Sequence, residues 1–175
     1  MPIWILTSYA LLFGRATPRE LPSSVRALVE AAVLYTAIST VDAALVFHNA
    51  RAFGFGVADL AFTVLVTALC LWIRRRMHRL EQTVLAMLGV GIWLTLPSIV
   101  INWSVSLSAP TDSAARMPLV PELVLAAMLC WSILTVARIM RDALDLDFFT
   151  GMTVSMTYFL ADYLCLVALP ARWLS

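Results

Sequence analysis

The sequence predicts an all-α polytopic membrane bundle: five spanning helices preceded by a short interfacial or re-entrant helix. Three observations carry that reading. Of 175 residues, 62% are hydrophobic and 13% charged, whereas soluble domains hold roughly 45–50% apolar and about 25% charged residues. The mean hydropathy is +0.89. The apolar residues fall into five runs of 19 to 24 residues, the length that spans a bilayer as a helix. Lipid offers no partner to an open backbone, so these runs are read as helices rather than strands.

The first segment, residues 2–13, is apolar but shorter than the roughly 20 residues a span requires. It has no positive region before its apolar part, and Gly14-Arg15-Ala16 makes a marginal cleavage pattern, so it is not read as a signal peptide. An interfacial or re-entrant helix is expected, with Trp4 and Tyr9 suited to headgroup level.

The spans are expected at 25–48, 53–73, 83–106, 119–137 and 148–170. Asn49–Ala52 makes a tight hairpin between the first two. Arg74–Gln82 is a basic loop, Leu107–Pro118 a polar one, and Arg138–Asp147 a loop of mixed charge. Pro97 is expected to kink the third span, and Pro118 and Pro121 open the fourth. No linker is long enough to divide domains, so residues 1–175 form a single integral membrane domain. Gly54-Phe55-Gly56 and Gly89-Val90-Gly91 are small-residue patches that let helices approach closely. Trp72, Trp103 and Trp173 fall near span ends as interface anchors.

Arginine placement sets the expected orientation. All twelve basic residues are arginine. Nine of them (Arg15, Arg19, Arg26, Arg74, Arg75, Arg76, Arg79, Arg138 and Arg141) fall on one side of the predicted topology, and Arg51, Arg116 and Arg172 on the other. The first side is therefore cytoplasmic and the carboxyl terminus periplasmic, in a bacterial inner membrane. The densest cluster, Arg74, Arg75, Arg76 and Arg79, is a candidate contact for lipid headgroups or an acidic partner.

The informative residues are the acids inside apolar runs, because a carboxylate in the bilayer is costly and tends to face a bundle interior. Asp42, Asp59 and Asp162 lie six, six and eight residues from the outer span ends, roughly 9–12 Å deep at 1.5 Å per residue. They are expected to share one layer, with at least one holding a proton if they meet. His48, Asn102, Thr40, Tyr158, Tyr163 and Arg51 are the possible partners. The candidate intramembrane polar site is thus Asp42, Asp59, Asp162, His48 and Asn102. Glu30 stands apart, with Arg26 one turn before it, and Glu122 suits a helix start. Asp142, Asp145 and Asp147 read as solvated loop or cap residues.

Several classes are excluded. A net charge of +1 with scattered arginines gives no nucleic-acid surface. Without lysine there is no Schiff base and no P-loop. Cys70, Cys130 and Cys165 have no zinc spacing, and His48 and His78 lie at opposite span ends, which rules out a bis-histidine haem. Asp59 is two residues late for a Gly-x-Gly-Asp protease motif, and no Gly-x-Ser-x-Gly occurs. No catalytic, cofactor-binding or metal-binding residues are therefore assigned, and the chain is not read as an enzyme.

Two stretches carry a resemblance: Leu12-Phe13-Gly14-Arg15 with Leu21-Pro22-Ser23-Ser24, and Trp131-Ser132-Ile133-Leu134 with Arg138. In these, and in its five-span layout, the chain resembles the bacterial Yip-domain membrane proteins. That resemblance implies fold and membrane location only. The expected role is an accessory, scaffold or assembly subunit of a membrane complex, with lipids and another membrane protein or a second copy as partners. The alternative is a proton- or cation-linked transporter or channel component using the aspartate layer.

Overall fold

The computed structural model describes residues 2–47, 52–108 and 119–165. Among these residues all regular structure is helical: α1 (Ile3–Leu12), α2 (Val25–Phe47), α3 (Ala52–Ile73), α4 (Leu80–Ser108), α5 (Leu119–Leu144) and α6 (Phe148–Tyr163), with single 3₁₀ turns at Pro18–Glu20 and Met77–Arg79. The helices α2 to α5 are each long and apolar enough to cross a membrane. This makes the chain a membrane protein by length and composition.

The fifth expected span, 148–170, is only partly seen. The described α6 has 16 residues, short of the roughly 20 that cross a bilayer, and residues 166–170 lie outside the described ones. His48, Arg51, Arg116, Pro118, Arg172 and Trp173 also lie outside the described residues.

Helix α4 forms the axis of the bundle. It packs against α1, α2, α3 and α5, while α2 also pairs with α3 and α5 with α6. Val84, Leu85, Ala86, Leu88 and Val90 of α4 are buried in the core. Val33, Leu65, Val100 and Leu160 point outward and stay exposed, as helix faces turned to lipid do, since lipid is as apolar as a leucine core.

Glycine sets two of these contacts. A β-carbon on Gly56 of α3 would meet Thr40 Oγ1 of α2 at 2.6 Å and the Thr36 carbonyl at 3.0 Å. A β-carbon on Gly89 would fall on the Ser8 hydroxyl of α1. Both contacts fit the close approach expected of these patches, whereas Gly54 has nothing within 4 Å.

Helix α1 is not laid free on a surface. It seats on α4 through Trp4, Ser8, Leu11 and Leu12, all buried, and the Trp4 side chain turns inward to Glu30. Tyr9 stays about half exposed, its ring 5.1 Å from that of Trp93. A 10-residue helix with a buried face behaves as part of the bundle, so Trp4 is a packing residue rather than an exposed anchor.

Helix α5 also departs from expectation. It runs on to Leu144 instead of stopping at Ala137, so the expected loop 138–147 is mostly helix. Ile139, Met140, Ala143 and Leu144 are buried, and Arg138, Arg141 and Asp142 are carried on the other face of an amphipathic turn. The charges had disguised helical periodicity as a loop. Asp147 then caps α6, accepting from the Thr150 amide at 3.0 Å, as an N-cap should.

Candidate functional site: an interior polar layer

The polar side chains inside the spans follow helical spacing. Tyr35, Ser39 and Asp42 fall on one face of α2, Asp59 and Thr63 on one face of α3, Ser98 and Asn102 on α4, and Tyr158 and Asp162 on α6, each set three or four residues apart. Their contacts turn inward.

Two groups result. In the first, Asp42 accepts from Asn102 Nδ2 at 2.9 Å and lies 3.2 Å from Ser98 Oγ through each carboxylate oxygen. Ser98 has one hydroxyl proton, so it serves one oxygen at a time. Pro97 lies inside α4, just before Ser98, and the helix continues through it.

In the second group, Tyr35 Oη donates to Asp59 Oδ2 at 2.7 Å, and Ser39 Oγ lies 3.3 Å from the same oxygen. The Tyr35 ring reaches this position by lying against Gly91 of α4, where a β-carbon would meet it at 2.6 Å. Thr63 Oγ1 and Tyr158 Oη share a hydrogen bond of 2.8 Å. Asp162 lies within electrostatic reach of Asp59. Its Oδ1 is buried and has no hydrogen-bond partner among the described residues.

A cavity of about 370 Å³ lies between α2, α3, α4, α5 and α6. Tyr35, Asp42, Thr63, Ser98, Ser132 and Tyr158 give it polar wall; side chains such as Met87 and Leu94 supply the apolar remainder. Asp42 and Ser98 of the first group and Tyr35, Thr63 and Tyr158 of the second therefore border one space, which Asp59 and Asp162 do not line.

Of the expected site residues, Asp42 and Asn102 are brought together. Asp162 lies within electrostatic reach of Asp59, and no hydrogen bond joins the two among the described residues. Asp42 keeps separate company, with hydrogen bonds to Asn102 and Ser98 among the described residues. Tyr163 is exposed, and Thr40 bonds the Thr36 carbonyl of its own helix at 2.7 Å rather than either acid. Tyr35, Ser39, Ser98 and Thr63 complete the site and were not singled out from sequence, although their i, i+4 spacing from the acids and tyrosines was readable.

At the arginine-rich end a different cluster forms. Asp145 receives Arg19 at 2.8 Å, Arg76 at 3.0 Å and Arg79 at 3.1 Å. Arg79 also donates to the Asp142 and Ala143 carbonyls at 3.1 Å, which closes the C-terminus of α5. The hydrogen bond from Arg79, then the charges of Arg79, Arg76 and Arg19, hold the Asp145 carboxyl below its ordinary range. Asp145 is thus an exposed turn residue, as expected, and is also the hub of a charge cluster. Arg76 and Arg79 are engaged here, while Arg74 and Arg75 lie just past the end of α3, with Arg75 in a left-handed conformation, φ 54°. Arg26 pairs with Glu30 at 2.9 Å, as their spacing implies.

Comparison with protein-family models, curated proteins and solved structures gives no match. What the fold and the site define together is an α-helical membrane protein with a hydrogen-bonded polar interior.

Proposed function

We propose that this protein is a proton- or cation-linked transporter or channel component of a bacterial inner membrane, acting through the interior layer of Asp42, Asp59 and Asp162. The observation that carries this reading is the buried Oδ1 of Asp162, which has no hydrogen-bond partner among the described residues and lies within electrostatic reach of Asp59, on a helix whose Tyr158 lines, with Asp42, a largely apolar cavity of about 370 Å³. A buried carboxyl oxygen without a donor calls for a proton, water or cation, and an intramembrane carboxylate lining a cavity, as Asp42 does, marks such a path. Asp42 and Asp59 already bond the chain's own donors, which weighs against their pairing with helices of another subunit.

The proposed topology has five spans, with α6 continuing to residue 170 and the arginine-rich end in the cytoplasm. The meeting of Arg19, Arg76 and Arg79 on Asp145 supports this, since it gathers three of the nine inner-side arginines at one end. The proposed kinship with Yip-domain proteins draws on two stretches that touch: Trp131 Nε1 donates to the Leu12 carbonyl at 3.2 Å.

The test is reconstitution in liposomes with a trapped pH indicator and an imposed proton or cation gradient. The gradient should collapse with wild-type protein and persist with Asp162→Asn. Wild-type vesicles as tight as empty ones would overturn the proposal. A stoichiometric membrane protein retained on purification in mild detergent, with no flux, would instead establish the accessory-subunit role.

A further inference from the structure

A second recess lies at the arginine-rich end, outside the polar layer. It has a volume of about 300 Å³ and is bounded by the segment Phe13–Pro18, the last turns of α5 and Phe148 at the start of α6. Its exposed lining is more polar than apolar, with the buried Leu11 and Ile139 beneath it. Two guanidiniums, Arg138 and Arg141, and the Asp142 carboxylate stand on its wall. Arg141 is spent on Asp142, donating through Nε at 3.0 Å and Nη2 at 2.9 Å. Arg138 has no hydrogen bond or ion pair among the described residues, and it is exposed. The backbone nevertheless makes room for it. Gly14 adopts φ +68°, and a β-carbon there would meet Arg138 Nη1 at 3.0 Å. One guanidinium without a partner among the described residues therefore stands in this recess. The rings of Phe13 and Phe148 line the recess and are partly exposed, and Phe13 in turn packs on Trp131 at 5.8 Å between ring centroids.

We infer that this recess binds the headgroup of an anionic phospholipid, with the phosphate on Arg138 and the adjoining apolar atoms between Phe13 and Phe148. The guanidinium fork matches a phosphate in shape and charge. A rim of half-exposed aromatic rings suits the membrane–water boundary where such a group lies, and a basic pocket between helices is the recurring form of headgroup site. The contact is thus placed at the end of α5 rather than on Arg76 and Arg79, whose guanidiniums already bond Asp145.

The experiment is native mass spectrometry of the full chain released from nanodiscs holding equal phosphatidylglycerol and phosphatidylcholine. Wild-type protein should retain phosphatidylglycerol selectively. Arg138→Gln should abolish that preference, Arg138→Lys should keep part of it, and Arg74→Gln with Arg75→Gln should leave it intact. Equal retention of both lipids by the wild type would overturn the inference, as would an unchanged preference in Arg138→Gln. Loss only in the Arg74/Arg75 variant would also overturn it and move the contact to that cluster. Binding of inorganic phosphate without any lipid preference would assign the recess to a free anion and reject the lipid.

Discussion

Tyr35 and Asp59, 24 residues apart, meet across the α2–α3 interface in a 2.7 Å hydrogen bond, with the tyrosine hydroxyl donating to the carboxylate. Tyr35→Phe removes that donor and leaves Ser39, at 3.3 Å, as the remaining hydrogen bond to Asp59. Stranding a buried acceptor costs about 1–3 kcal/mol. Thermal unfolding in detergent should show the loss. Tyr35→Phe combined with Asp59→Leu should recover part of it, because an apolar pair strands no charge. A Tyr35→Phe variant as stable as wild type would contradict the hydrogen bond's role.

Gly56 and Gly54 give a matched pair. Gly56→Ala would push its β-carbon against the Thr40 hydroxyl and the Thr36 carbonyl, and the backbone cannot rotate aside. Overpacking of this kind costs about 1–3 kcal/mol. Gly54→Ala meets nothing within 4 Å and should leave stability unchanged or slightly raised. Unfolding midpoints measured side by side would separate the two, and equal effects would refute the close α2–α3 contact.

The Thr63–Tyr158 hydrogen bond ties α3 to α6. Thr63→Val and Tyr158→Phe should each destabilise by about 1 kcal/mol. The double variant should lose less than the sum, since both changes delete the same bond. Strict additivity in that cycle would show that the two hydroxyls do not interact.

Asp145 makes the arginine-rich end acid-sensitive. Its folded-state carboxyl is held below the ordinary value of 3.8 by the hydrogen bond from Arg79 and the charges of three arginines. The ionised form is therefore favoured by folding. Its stabilisation is fully present above the ordinary value and fades as pH falls through the lowered one. Melting temperatures taken from pH 6 down to pH 2 should fall less steeply for Asp145→Asn than for wild type across the acid end of that range. The groups are partly exposed, so added salt should shrink the difference. Identical acid limbs would remove Asp145 as the titrating hub.

The spans α2 and α3 were legible almost to the residue, because a long apolar run has one stable form in lipid. The pairing of Asp42 with Asn102 was also within reach, since both residues stood out as polar groups in apolar runs. The separation of Asp42 from Asp59 was not legible. It depends on which face of α2 meets α3 and which meets α4, and sequence depth fixes height in the membrane but not azimuth. Reading Tyr35, Ser39 and Asp42 as one stripe would have supplied part of that azimuth. Helix α5 was cut short for the opposite reason: Arg138, Arg141 and Asp142 masked a buried face of Ile139, Met140, Ala143 and Leu144.

The seating of Ser8 against Gly89 bears on the order of biogenesis. Ser8 leaves the ribosome about eighty residues ahead of the glycine it will rest on, and synthesis at roughly 5–20 residues per second makes that a wait of several seconds. Through that interval α1 has no α4 to cover its Trp4 and Leu11 face, so its docking comes after α2 and α3 have been made. Helix α1, made before α2 and α3, is thus placed after them, and a bulky insertion ahead of residue 3 would hinder a late step of assembly.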